Sequence, residues 1–76
     1  MRQFNGQDVK VIRQILRVSQ KELADIVGVS QAMIGFIELG QKPVSERVNK
    51  LIYNNVVTHY IDEKTLYGIL DGELEL

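Results

Sequence analysis

The side chains of this 76-residue chain that could perform chemistry are few and scattered. The only histidine, His59, lies in a predicted connecting segment, where a lone imidazole is typical of a solvated side chain. The chain has no cysteine to bind zinc, and its carboxylates do not show the spacing of a metal-binding loop. No base lies beside any serine to activate it as a nucleophile. We therefore expect no catalytic residue, no metal, no cofactor and no small-molecule substrate, and hence a protein that is not an enzyme.

The serines instead have the positions of helix caps. Ser19 precedes Gln-Lys-Glu, so that its hydroxyl and the Glu22 carboxylate can each accept from the other's backbone amide, which is a capping box. Gly28 then ends this helix, since glycine adopts a left-handed backbone without a Cβ penalty. Ser30 caps a further helix, which Gly40 closes.

Helical periodicity and breaker residues predict three more helices. The first begins near Asn5 or Gly6, a fourth follows Ser45, and a fifth begins at Asp62 and ends at residues 71–72. The apolar positions expected to face inward from these five helices are Val9, Ile12, Leu16, Leu23, Ile26, Ile34, Ile37, Val48, Leu51, Ile52, Val56, Leu66, Ile69 and Leu70. We predict an all-α chain.

The second and third predicted helices are separated only by Gly28-Val29-Ser30. A connection this short, beginning with glycine, forces two helices to meet at a steep angle, which is the helix-turn-helix geometry. Ala24 is small where the third helix would cross the second, and Val29 would fill the turn.

At this point the run QKELADIVGVSQAMIGFIELGQKP resembles the DNA-binding domain of the lambda-repressor and Cro class of helix-turn-helix regulators, which are small phage and bacterial transcription regulators. The resemblance covers about residues 7–70 and rests on eleven positions in mutual register: Gln20, Leu23, Ala24, Gly28, Val29, Gln31, Ile34, Ile37, Glu38, Gly40 and Pro43. It implies one compact five-helix domain at 1–76, with the helix-turn-helix at 20–39.

The resemblance also implies roles for individual residues. Gln20 stands where the family contacts a phosphate and braces the first side chain of the recognition helix, here 31–39. Gln31 stands where the family reads a base edge, commonly an adenine, through its amide. Arg13 and Glu38 occupy positions that form an ion pair in relatives.

Phosphate contacts are expected where the fourth helix begins. Lys42 and Ser45, with the backbone amides of that helix, would hold phosphates because a helix N-terminus favours an anion. The full set of residues expected at the DNA is Gln20, Gln31, Ala32, Gly35, Phe36, Lys42 and Ser45.

The outward face of the recognition helix departs from the family pattern. After Gln31 it offers Ala32, Gly35, Phe36 and Leu39, flanked by Met33, where relatives carry mainly polar or basic residues. Glycine reads no base and costs about 1 kcal/mol of helix stability relative to alanine. This face is therefore mostly apolar.

Three explanations remain open. Phe36 and Met33 could fold back into a slightly rotated core, or Phe36 and Ala32 could touch thymine methyls. Alternatively, the face binds protein, as in a phage-type modulator or antirepressor that docks on a cognate repressor. The residues expected in that case are Gln31, Met33, Gly35, Phe36 and Leu39.

The charge is unevenly distributed, although the net charge is only −1. Residues 1–50 contain eight basic and five acidic side chains, a net charge of +3, and residues 51–76 contain one basic and five acidic, a net charge of −4. A polyanion such as a double-stranded DNA operator would meet the first part. The fifth helix and the acidic segment 71–76 are the expected surface for a homodimer or heterodimer, or for a toxin if the chain is an antitoxin.

The residues at the start, MRQFNGQDVK, contain no apolar run of signal-peptide length, and no stretch approaches the roughly 20 apolar residues of a membrane span. We expect no membrane association and a location in the cytoplasm of a bacterial host cell.

Overall fold

Five short helices, each begun by a capping side chain, follow one another along the chain. The computed structural model describes residues 1–75, and its helices are α1 (Gly6–Leu16), α2 (Gln20–Val27), α3 (Gln31–Glu38), α4 (Glu46–Val56) and α5 (Glu63–Leu70). The part of the chain that is described contains no strand beyond an isolated bridge between Val57 and Ile61. The predicted all-α, five-helix fold is confirmed. Leu76, the last residue of the predicted acidic segment, lies outside the described residues.

The capping residues act as the sequence predicts. Ser19, Ser30, Ser45 and Asp62 each accept a hydrogen bond from the backbone amide three residues later, and Glu22 completes the capping box of α2. A second capping box at α1 was not anticipated from the sequence. There Asn5 accepts from the amide of Asp8, and the Asp8 carboxylate accepts from the amide of Asn5.

One buried face from each helix contributes to a single core. Its members are Phe4, Val9, Ile12, Leu23, Ala24, Val27, Ile34, Ile37, Val44, Val48, Ile52, Val56, Val57 and Leu66. Several of the predicted inward positions lie at the edge of the core and are only partly buried. In α2 Val27 is buried and Ile26 only flanks the core, because the buried stripe of this helix runs through Leu23 and Ala24 and continues one turn later at Val27. Leu16, Leu51, Ile69 and Leu70 are likewise only partly buried.

Residues 1–5, the segment that precedes α1, are hydrogen-bonded to α4. Phe4 is only 1% exposed, and its amide donates to Asn49 Oδ1 over 2.8 Å. The amide nitrogen of Asn49 in turn donates to the carbonyl oxygen of Arg2 over 2.9 Å. Because Asn49 is itself buried, both of its polar ends need these partners, and the segment is held in one position.

Arg2 connects this segment to the end of α5. Its guanidinium lies 2.8 Å from Asp71 Oδ1 and 3.9 Å from Asp8 Oδ2, and it stands over the Tyr67 ring at 5.2 Å from the centroid. The ring of Tyr67 also meets the Phe4 ring edge to face, with centroids 6.4 Å apart. The charge of Arg2 is thus compensated within the domain.

The start of α1 lies directly against the end of α3. A Cβ atom placed on Gly6 would come within 2.1 Å of the carbonyl oxygen of Ile37, far inside van der Waals contact. Only glycine permits this approach, which sets how closely α3 is held to α1.

Within residues 1–75, none of the helices has both the length and the apolar surface needed to span a lipid bilayer.

Candidate nucleic-acid interface

The turn between α2 and α3 is fixed by backbone hydrogen bonds. Gly28 has a φ of 91°, and the amides of Gly28 and Val29 both donate to the carbonyl oxygen of Ala24, over 2.8 and 3.0 Å. This left-handed position ends α2, and Ser30 at once begins α3 by accepting from the amide of Met33 over 3.1 Å. The two helices therefore meet at a sharp corner with the first turn of α3 at the surface.

One face of α3 is buried and the opposite face is open. Ile34 and Ile37 have no exposed surface, whereas Phe36 is 42% and Leu39 72% exposed. The open face, together with the start of α2, forms a shallow concave surface that we call the α3 depression, lined by Gln20, Gln31, Ala32, Gly35, Phe36 and Leu39. All of these except Leu39, which follows the last residue of α3, lie within helices.

The explanation that Met33 and Phe36 both fold back into the core is wrong for Phe36. Met33 is partly buried and packs against the core, but Phe36 stands two residues beyond Ile34 and so points about 200° around the helix from it. The predicted recognition helix is also one residue too long, because Leu39 is the C-cap of α3.

A carboxylate at the end of α3 joins three helices. The guanidinium of Arg13 on α1 donates to both carboxylate oxygens of Glu38, from Nε over 2.9 Å and from Nη2 over 3.0 Å. From α2, Gln20 Nε2 donates to Glu38 Oε1 over 3.3 Å. A two-point pair of this kind fixes orientation as well as distance, so the position of α3 is set relative to both α1 and α2.

The electrostatic environment keeps Glu38 ionised. Burial of its side chain, which is 6% exposed, acts to raise its pKa, but the hydrogen bonds from Arg13 and Gln20 and the charges of Arg13 and Lys10 outweigh burial and lower the pKa. Since the pKa is lower in the folded state than in the unfolded one, the stabilisation is present above the ordinary carboxyl pKa and is lost as the pH falls through the folded value.

This arrangement of helices matches one known family. A family model described as helix-turn-helix matches residues 9–52, which is more than half of the chain and extends from α1 into α4. The chain belongs to the helix-turn-helix family. The match confirms the resemblance to the lambda-repressor and Cro class, whose members are DNA-binding regulators and not typically enzymes. Comparisons with curated proteins and with solved structures found no match.

In this helix-turn-helix domain, Lys42 and Ser45 lie apart from the α3 depression. Both are exposed, on the segment that joins α3 to α4. The Ser45 hydroxyl already accepts from the amide of Val48 over 3.2 Å, and the backbone amide of Lys42 donates to the carbonyl of Phe36 over 3.2 Å. What remains for an anion at this place is the Lys42 ammonium, the Ser45 hydroxyl proton and the first free amides of α4.

One cation beside these groups was not singled out from the sequence. Arg47 is exposed in the first turn of α4, two residues after Ser45, and within residues 1–75 no carboxylate pairs with it. Lys50 on the same surface is paired with Glu46 at 3.2 Å. The sequence signal for Arg47 is its spacing from the cap, because an arginine just inside a helix can reach an anion bound at that N-terminus.

Among the described residues, no histidine, aspartate and glutamate side chains are grouped to hold a metal ion.

Proposed function

We propose that the chain is a sequence-specific DNA-binding transcriptional regulator that inserts α3 into the major groove. The observation that carries the proposal is the exposed first turn of α3, with Gln31 and Ala32 at the surface, beyond a corner fixed by Gly28 and by the Arg13–Glu38 pair. A rigidly held helix end is what base recognition requires, because hydrogen bonds to base edges depend on orientation.

In this proposal Gln31 reads a base edge through its amide, while Lys42, Ser45 and Arg47 contact phosphates. Such a small surface gives limited affinity, so a dimer that reads two half-sites about one DNA turn apart is the arrangement we propose. We place its contact on α5 and the acidic segment that follows it, which keeps negative charge away from the DNA. The domain then acts as one unit over residues 1–76.

Replacement of Gln31 by alanine is expected to weaken binding to the preferred duplex by about 1–3 kcal/mol and to remove the preference at one base position. The preferred duplex is first selected from a random double-stranded library with the unaltered protein. Affinities are then measured by fluorescence anisotropy, at fixed salt, for that duplex and its single-base variants.

Lys42→Ala is the matched control for this experiment. Loss of a phosphate contact should weaken binding to all duplexes alike and reduce the slope of log affinity against log salt by about one. Retention of every base preference by the Gln31 variant would show that α3 does not read DNA in this way.

A second candidate function is favoured by the exposed apolar side chains of Phe36 and Leu39 on the same face. In it the chain is a modulator that docks the α3 depression on a cognate repressor. Gly35, which lines the depression and has no side chain, would allow close approach of a partner helix.

For this candidate, Phe36→Ala should abolish association with a cognate repressor and change thermal stability little, since the ring is 42% exposed. Calorimetric titration of the two purified proteins measures the association. Tyr60→Ala removes an aromatic ring that is even more exposed, at 56%, and lies outside the depression, so it should leave the affinity unchanged. Unchanged affinity in the Phe36 variant would remove this candidate.

A further inference from the structure

The segment proposed to contact phosphates, residues 41–45, is attached to α3 at its first end. The backbone amides of Gln41 and Lys42 both donate to the carbonyl oxygen of Phe36, over 2.9 and 3.2 Å. These two bonds fix the start of the segment. They leave open what fixes its second end, where α4 begins.

The second end is bonded to Gln3. The side-chain nitrogen of Gln3, Nε2, donates to the carbonyl oxygen of Val44 over 2.8 Å and to that of Phe4 over 3.2 Å. Within residues 1–75 this is the only hydrogen bond found at the Val44 carbonyl oxygen. Val44 directly precedes Ser45, the N-cap of α4, so the bond from Gln3 reaches the segment at the edge of the proposed phosphate site.

The backbone that carries Gln3 is itself fixed on both sides. The carbonyl oxygen of Arg2 accepts from Asn49, and the amide of Phe4 donates to the same buried side chain. The amide of Arg2 also donates to the Tyr67 hydroxyl over 3.3 Å. The Gln3 side chain therefore extends from a backbone position that α4 and α5 determine.

The effect of this bond falls on the segment more than on the core. Gln3 is exposed, so loss of its amide group leaves the buried side chains in place. Contacts to phosphate oxygens set the register of a protein on a duplex, and they depend on where the donors stand relative to one another. A small shift of residues 41–45 would therefore weaken DNA binding without unfolding the domain.

We propose that Gln3 is a positioning residue for DNA binding, which sets where Lys42 and the first amides of α4 meet the phosphates. This inference rests on the DNA-binding function proposed above. Residue 3 lies outside the part of the chain that the helix-turn-helix family model matches, residues 9–52. The N-terminal segment then belongs to the DNA-binding apparatus although it presents no side chain to DNA.

Gln3→Met tests the proposal, because methionine has a similar length but no hydrogen-bond donor. Its affinities for the preferred duplex and for an unrelated duplex are measured by fluorescence anisotropy at fixed salt. Both should fall about fivefold, the usual effect of losing one hydrogen bond. The consensus selected from a random library should not change, since phosphates carry no sequence information.

Asn55→Leu is the matched control for stability. The Asn55 side chain also donates to two backbone carbonyls, those of Val27 over 3.3 Å and Leu51 over 2.9 Å, but it lies near the other end of α4. This variant should lower the melting temperature at least as much as Gln3→Met and leave the affinity for DNA unchanged. Circular dichroism confirms that each variant is folded at the temperature of the binding measurement.

A double-mutant cycle with Lys42→Ala separates positioning from direct contact. If Gln3 acts through residues 41–45, its replacement should matter less once the Lys42 contact is gone, with a loss of about twofold in place of about fivefold. A Gln3 side chain that touched DNA by itself would give the same loss in both backgrounds.

The outcomes distinguish this inference from the proposed function. The inference is overturned, and the function stands, if Gln3→Met binds as tightly as the unaltered chain, if Asn55→Leu weakens binding equally, or if the cycle is additive. Binding of the unaltered chain without any consensus would overturn the sequence-specific function alone, because phosphate contacts need no base preference. If the unaltered chain binds no duplex, both are overturned.

Discussion

Replacement of Gly6 by alanine is expected to lower the free energy of unfolding by about 2–3 kcal/mol, although alanine is the better helix former. The new Cβ would lie 2.1 Å from the carbonyl oxygen of Ile37. The backbone of α1 fixes the position of this Cβ and the oxygen belongs to the backbone of α3, so no side-chain rotation can relieve the contact. The end of α3 must move away from α1, which also disturbs the neighbouring Arg13–Glu38 pair.

Thermal unfolding followed by circular dichroism measures this effect. A loss of 1 kcal/mol shifts the melting temperature of a domain of this size by about 4–8 °C. Gly35→Ala is the matched control, because a Cβ at that position meets only Gln20 Oε1 at an ordinary 3.7 Å. It should leave stability unchanged or raise it by up to about 1 kcal/mol. Equal melting temperatures for the two alanine variants would contradict the close packing of α1 on α3.

Replacement of Phe4 by alanine is expected to cost about 3–5 kcal/mol, the usual range for a buried phenylalanine. A chain of 76 residues has a free energy of unfolding of roughly 4–11 kcal/mol, so this variant is close to unfolding at room temperature. The Phe4 ring is 1% exposed and packs edge to face against the Tyr67 ring, over which the Arg2 guanidinium also lies. Its removal therefore weakens the attachment of α5 as well as the core.

Urea denaturation of the variant gives the free energy directly. Phe36→Ala removes the same side chain from a site that is 42% exposed, and it should change stability by well under the Phe4 value. A loss below about 1 kcal/mol for Phe4→Ala would mean that residues 1–5 are not part of the folded core.

The local features of the fold could be predicted because contiguous residues encode them. Ser19 and Glu22 specify a capping box by themselves, and Gly28 with its neighbours specifies the turn. The position of residues 1–5 against α4 and α5 could not be predicted in this way. It depends on Asn49 and Tyr67, which are 45 or more positions away and become neighbours only when α4 and α5 have docked.

The same distinction applies to the candidate site. The residue types in α3 gave a surface that is largely apolar after Gln31, and the structure exposes Phe36 and Leu39 there. The orientation of the Gln20 amide could not be predicted from the sequence. It is set by the carboxylate of Glu38, 18 positions later, which also pairs with Arg13. A glutamine can donate or accept, and only the identity of its inner partner decides which end faces outward.

The bond between Arg2 and Asp71 spans 69 positions, whereas the one between Gln20 and Glu38 spans 18. Loop-closure entropy grows with the logarithm of the span, so the longer loop costs about 1 kcal/mol more to close. The corner between α2 and α3 can therefore assemble while the first and last segments are still free. We therefore expect the first and last segments to attach last during folding, after the protruding helix has formed.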